Sequence, residues 1–160
     1  MANSPDLLNK REKDGLPPLH QTIQQGHLNV VRYLVANGAS TSVIDSNGKT
    51  PLYLAAQRGQ LSALRLLQEA GVSIDQPLAE SGERALQAAT ESGNNSVIEF
   101  LLSEGADLNA QDKEGRTSLH VAAQQFSFWG SHKRGEGHGE EGPGREGLER
   151  REYPASVWRR

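Results

Sequence analysis

Apolar residues fall along this chain in short clusters at helical spacing, and the clusters come in pairs. Leu19 and Ile23 stand four apart, and Val30, Val31, Leu34 and Val35 follow as an i, i+1, i+4, i+5 stripe. In the next pair Leu52, Ala55 and Ala56 precede Leu61, Leu64, Leu66 and Leu67. A third runs Leu86, Ala88 and Ala89, then Val97, Ile98, Leu101 and Leu102; a fourth opens with Leu119, Ala122 and Ala123. Each cluster predicts a short amphipathic helix. Gly26, Gly59 or Gly93 separates the two helices of a pair, where a stop and a tight reversal are needed. Pro18 and Pro51 suit a first helical turn, and Thr50 and Thr117 stand just ahead as N-caps would.

The pairs repeat with a fixed period. One glycine recurs at Gly15, Gly48, Gly82 and Gly115 and one leucine at Leu19, Leu52, Leu86 and Leu119, so the unit is 33 or 34 residues long. Between pairs lies a connection rich in Asp, Asn, Ser and Gly, which reads as a turn or hairpin. The connection from Gly71 to Gly82 holds one extra residue and Pro77, so the longer step belongs to a loop. Isolated helices shorter than roughly 12–15 residues are marginal in water, so these must be covered by neighbouring units. Self-similarity at this period means stacked supersecondary units rather than one globular core. Paired alanines in the first helix would let adjacent helices approach closely.

Thr50-Pro51-Leu52-Tyr53-Leu54-Ala55-Ala56, Pro18-Leu19-His20 and Thr117-Ser118-Leu119-His120-Val121-Ala122-Ala123 resemble the ankyrin-repeat signature. Gly26-His27-Leu28-Asn29-Val30-Val31 and Gly105-Ala106-Asp107-Leu108-Asn109-Ala110 resemble its later blocks. The resemblance covers roughly residues 7–125. It departs at Tyr53 and Gln87, which replace the usual histidine, and at Arg84-Ala85, which replace Thr-Pro and should weaken the third unit's first turn. The expected fold is an all-α ankyrin-repeat solenoid of helix–turn–helix units with hairpin-like connections. Residues 1–13 are a lead-in, 14–125 the repeat domain (about 15–47, 48–81, 82–114 and a partial 115–125), and 126–160 a low-complexity, disordered tail.

Charge narrows the partners. Residues 1–125 carry 10 Lys/Arg against 14 Asp/Glu and residues 126–160 carry 7 against 6, which leaves no clustered basic face for nucleic acid or an anionic membrane. With no cysteine, thiol catalysis and cysteine-based zinc sites are excluded. No charged-then-apolar leader and no membrane-length apolar run is present, so the cytoplasm or nucleus is the expected compartment. No serine sits in a nucleophile elbow, and Gly135, Gly137 and Gly139 follow no predicted strand. His132 and His138 stand near Glu136, Glu140 and Glu141, but without the preorganised spacing of a metal site. Neither enzyme activity, metal nor cofactor is expected.

What remains is surface for recognition. The resemblance implies a protein partner, bound by a monomer through hairpin tips and the exposed face of each first helix. The tips would present Ser46, Asn47 and Lys49, then Glu80, Ser81 and Glu83, then Lys113, Glu114 and Arg116. The helix face would present Gln24 and Gln25, Gln57 and Arg58, Glu91 and Ser92, and Gln124 and Gln125. Tyr53 is either an aromatic anchor or a structural substitute for histidine, and the latter is the better reading. The resemblance makes His20 and His120 hydrogen-bonding structural residues and gives His27 a similar local role. The fourth unit's first helix should end at Gln125, where Phe126 replaces the next glycine, and Phe126, Phe128 and Trp129 would cap the stack or lie exposed. Because the pattern breaks inside a unit, a second expectation is a truncated isoform of a larger ankyrin-repeat protein, with no independent or only competitive function.

Overall fold

The computed structural model describes residues 8–10 and 16–132, with side chains as far as Gln125. Among the described residues seven helices follow one another: α1 (Pro18–Gln25), α2 (Leu28–Ala36), α3 (Pro51–Gln57), α4 (Leu61–Glu69), α5 (Ala85–Glu91), α6 (Asn95–Ser103) and α7 (Ser118–His132). No strand occurs among the described residues. The helices form two layers. In the front layer α1, α3, α5 and α7 pack side by side; behind it α2, α4 and α6 do the same, each against its own hairpin partner.

Small side chains set the spacing of the front layer. Ala55, Ala56, Ala88 and Ala89 are completely buried where α3 meets its neighbours, with Leu52 and Leu86 beside them. In the back layer Leu64, Leu67 and Leu101 are equally inaccessible. The apolar period of the sequence is therefore the period of the core, unit by unit. No helix among the described residues is long and apolar enough to cross a membrane.

The caps explain why such short helices begin and end where they do. The Thr50 hydroxyl accepts the Tyr53 amide at 3.2 Å, and Pro51 occupies the first turn. In α5 the Thr-Pro pair is missing, and the weakening expected at Arg84-Ala85 is offset in two ways. Gln87 Oε1 accepts the Arg84 amide at 3.0 Å, closing the first turn from three residues inside. The Arg84 guanidinium meanwhile donates to the Asp75 and Gln111 carbonyls and pairs with the Asp75 carboxylate at 3.3 Å, tying two connections together.

Between units, the residues after Gly59 and Gly93 reach back to the front helix of the preceding unit. Gln60 Nε2 donates to the Ile23 carbonyl, and Asn94 Nδ2 to the Ala56 and Gln57 carbonyls at 3.2 Å each. These carbonyls lie at helix C-termini, where they lack intrahelical donors. His27 holds the same position in the first unit; it is exposed at the N-cap of α2 and makes no side-chain capping bond. Gly59 must stay bare because its φ is +71° and a Cβ there would lie 2.6 Å from Asn94 Oδ1. Replacing Asn94 by alanine should cost roughly 1–2 kcal/mol, from the loss of its bonds to two carbonyls, measured by urea denaturation; an unchanged midpoint would show that these bonds add nothing net.

The last helix departs from expectation. It does not end at Gln125 but runs on to His132, because Phe126 cannot take the left-handed cap that Gly26 provides for α1 at φ +74°. Leu119 is 70% exposed, whereas Leu19, Leu52 and Leu86 are 2–3% exposed. An open groove of about 610 Å³ lies between the last helix and the preceding pair, lined by Ile98, Ala122, Gln125 and the polar turn of α5 and α6. Gly15, the side chains of Phe126, Phe128 and Trp129, and the tail from 133 onward lie outside the described residues.

Candidate functional site

The third position of each front helix builds the site. His20, Tyr53 and Gln87 hold it in α1, α3 and α5, and all three are at least 96% buried. His20 Nε2 donates to the Lys49 carbonyl at 2.9 Å and Gln87 Nε2 to the Arg116 carbonyl at 2.7 Å. Both carbonyls belong to the residue after a hairpin glycine, so each bond locks one helix to the next hairpin. Tyr53 is longer and behaves differently. Its hydroxyl passes the corresponding backbone and donates to the Glu83 carboxylate at 2.9 Å.

That one change extends the ties into a chain of side chains across the front layer. Lys49 Nζ sits 5.5 Å from the centre of the Tyr53 ring and donates to Gln57 Oε1 at 3.0 Å. Beyond Tyr53, Glu83 pairs with Arg116 at 3.3 Å, and Arg116 pairs with Asp112 at 2.8 Å and Glu114 at 3.2 Å. Burial, followed by the charge and hydrogen bond of Glu83, pushes the Tyr53 phenol far above its usual range. The Asp112 hydrogen bond holds the Arg116 guanidinium above its ordinary value. Tyr53 therefore stays a neutral donor and Arg116 a cation across the physiological range.

The hairpin bases give this chain fixed ends. Asp45 Oδ1 accepts the amides of Asn47 and Lys49 at 2.8 and 2.9 Å, and Asp112 Oδ1 does the same for Glu114 and Arg116 at 2.9 and 2.8 Å. Both aspartates are buried. Asp112 escaped the sequence reading, although Asp45-Ser-Asn-Gly-Lys49 and Asp112-Lys-Glu-Gly-Arg116 share an obvious pattern. Gln87 likewise was noted only as a departure.

Seven of the expected positions are brought together: Lys49, Tyr53 and Gln57 at one end, Glu83, Glu91 and Arg116 around a cleft at the other, and Glu114 attached through Arg116. Gln24 and Gln25 lie on α1 and Arg58 at the end of α3, in line with the strip but outside the bonded chain. Asn47 is exposed, its amide committed to the Asp45 turn. Lys113 turns aside: its Nζ donates to the Ala79 carbonyl at 2.8 Å and its amide to the Ser81 carbonyl at 2.9 Å. His120, with no hairpin beyond it among the described residues, accepts the Thr117 amide locally at 3.2 Å.

Comparison with known proteins agrees with this architecture. A family model described as ankyrin repeats (3 copies) matches residues 2–78 and 73–132. Over 127 residues the chain is 34% identical to the nuclear factor NF-kappa-B p105 subunit of Gallus gallus, covering 77% of this chain and 13% of that protein. It is 35% identical to ankyrin repeat and SOCS box protein 3 of Bos taurus over 76% of this chain and 23% of the relative. A 44-residue stretch, 27% of this chain and 9% of the relative, is 46% identical to the NF-kappa-B inhibitor cactus of Drosophila melanogaster. The chain thus spans well under two thirds of the length of these relatives. Its 33- or 34-residue period, two helical layers, hairpin-to-helix ties and family match show that the chain belongs to the ankyrin-repeat family.

Proposed function

We propose that the chain is a non-enzymatic protein-recognition module, an adaptor or scaffold that holds a partner across the front helices and hairpin tips of its ankyrin stack. Ankyrin repeats generally serve as protein-interaction modules, and one similar protein is named as an inhibitor of another protein. The observation that carries the proposal is the bonded chain from Lys49 to Arg116. Side chains already held in place lose little conformational freedom when a partner arrives, which is how preorganised surfaces gain affinity. The cleft at its end measures about 60 Å³, against roughly 300–1,000 Å³ for small-ligand sites, so the strip suits contact with another chain better than capture of a cofactor. The module acts as a monomer in the cytoplasm or nucleus.

Charge reversal separates the two layers. A partner captured on the full chain should bind at least tenfold more weakly to Lys49→Glu/Arg58→Glu, on the front and tips. It should bind unchanged to Arg32→Glu/Glu99→Lys, whose residues are exposed on α2 and α6. The opposite pattern would sink the front-layer assignment.

A further inference from the structure

We propose that the cleft between α5 and α7 receives a cationic side chain, a lysine or arginine, of a protein partner. This rests on the recognition reading above and gives that surface a chemical preference. Glu83, Gln87 and Glu91 form one wall, Val121, Gln124 and Gln125 the other, and Arg116 closes the hairpin end. The space, about 60 Å³, is small and admits the tip of one side chain.

The polar groups decide which tip. The Arg116 guanidinium is already engaged by Asp112, Glu114 and Glu83, so its charge is spent inside the structure. Glu83 is held from its far side by the Tyr53 hydroxyl, which fixes the carboxylate at the cleft wall. Glu91 is different: it is exposed and makes no ion pair among the described residues. It faces the cleft beside the amides of Gln124 and Gln125, whose oxygens add neutral acceptors. Three carboxylates, those of Glu83, Asp112 and Glu114, pair with one guanidinium, and Glu91 lines the same cleft as a fourth. An incoming anion would meet repulsion there, whereas an ammonium or guanidinium would find an unspent partner in Glu91. Val121 offers apolar contact to the methylene stem that such a side chain carries.

Selection of a random linear-peptide display library on the full chain tests this. The expected winners compete with one another and share a lysine or arginine. Replacing that residue by norleucine or citrulline should weaken binding at least tenfold, and Glu91→Gln should do the same without changing the thermal melt. Arginine-only or lysine-only enrichment then tells guanidinium from ammonium recognition. Peptides blocked by Arg58→Glu that lack a required cation, or that bind Glu91→Gln unchanged, overturn the cleft assignment and leave the front-layer reading standing. Peptides that map to the back layer, or a library yielding no binder at all, overturn both.

Discussion

Replacing Leu64 by alanine should lower stability by about 3 kcal/mol and divide the unfolding transition. Leu64 is wholly inaccessible in α4, the middle helix of the back layer, packed between α2 and α6 and against α3. Truncating a buried leucine removes its transfer free energy and leaves a cavity, together roughly 2–5 kcal/mol. Position matters as much as size. In a solenoid each unit touches only its neighbours, so the middle unit carries all coupling between the first and third. With a urea slope of about 1–3 kcal/mol per molar, the midpoint should fall by roughly 1 M or more. Helix loss and the environment of Tyr33, exposed on α2, should then report different transitions. A single coincident transition with a midpoint shift under about 0.3 M would show that α4 does not couple the stack.

That expectation draws on the part of the protein that was legible beforehand. The period, the helix pairs and the buried leucines follow from apolar spacing, because burial repeats wherever the backbone repeats. Thr50 and Pro51 announce a helix start through local chemistry alone. Gln87 illustrates what spacing does not disclose. Its amide serves the Arg84 N–H and the Arg116 carbonyl at once, and that dual use depends on where a hairpin 29 residues away is placed. Arg84 looked like a defect for the same reason, since its compensating partners Asp75 and Gln111 belong to separate connections.

The site divides in the same manner. Glu83 and Arg116 could be placed on hairpins from the glycine preceding each, but their pairing required the longer reach of Tyr53 and the stacking of two hairpins. Tyr53 is thus both a substitute for histidine in position and a different device in effect, tying side chain to side chain where histidine ties to backbone. Lys113 shows the converse. A tip lysine reads as a free charge, yet a neighbouring hairpin supplies the Ala79 carbonyl that draws it aside.

The second large effect is expected at Asp112. Its carboxylate accepts the amides of Glu114 and Arg116 and, at 2.8 Å, the Arg116 side-chain Nε. Alanine would strip two turn amides of their acceptor and release the guanidinium that holds Glu83. Counting lost hydrogen bonds, one of them charge-assisted on both sides, the cost should be about 2–4 kcal/mol. Asparagine preserves the shape and one acceptor oxygen, so it should cost less. The acid response distinguishes a charge from a mere spacer. Burial raises the Asp112 pKa, but the hydrogen bonds from Arg116 and Glu114 and the nearby Arg116 charge outweigh it and hold the carboxyl below its ordinary range. A lowered folded-state pKa means stability that is fully present above the unfolded value, near 3.9, and is lost as pH falls toward the folded one. The stability gap between wild type and Asp112→Asn should therefore be wide at pH 7 and narrow progressively below about pH 4. A gap that stays constant down to about pH 2 would mean that the neutral hydrogen-bonding shape of this residue, not its charge, holds the hairpin and with it the Glu83 end of the chain of side chains across the front layer.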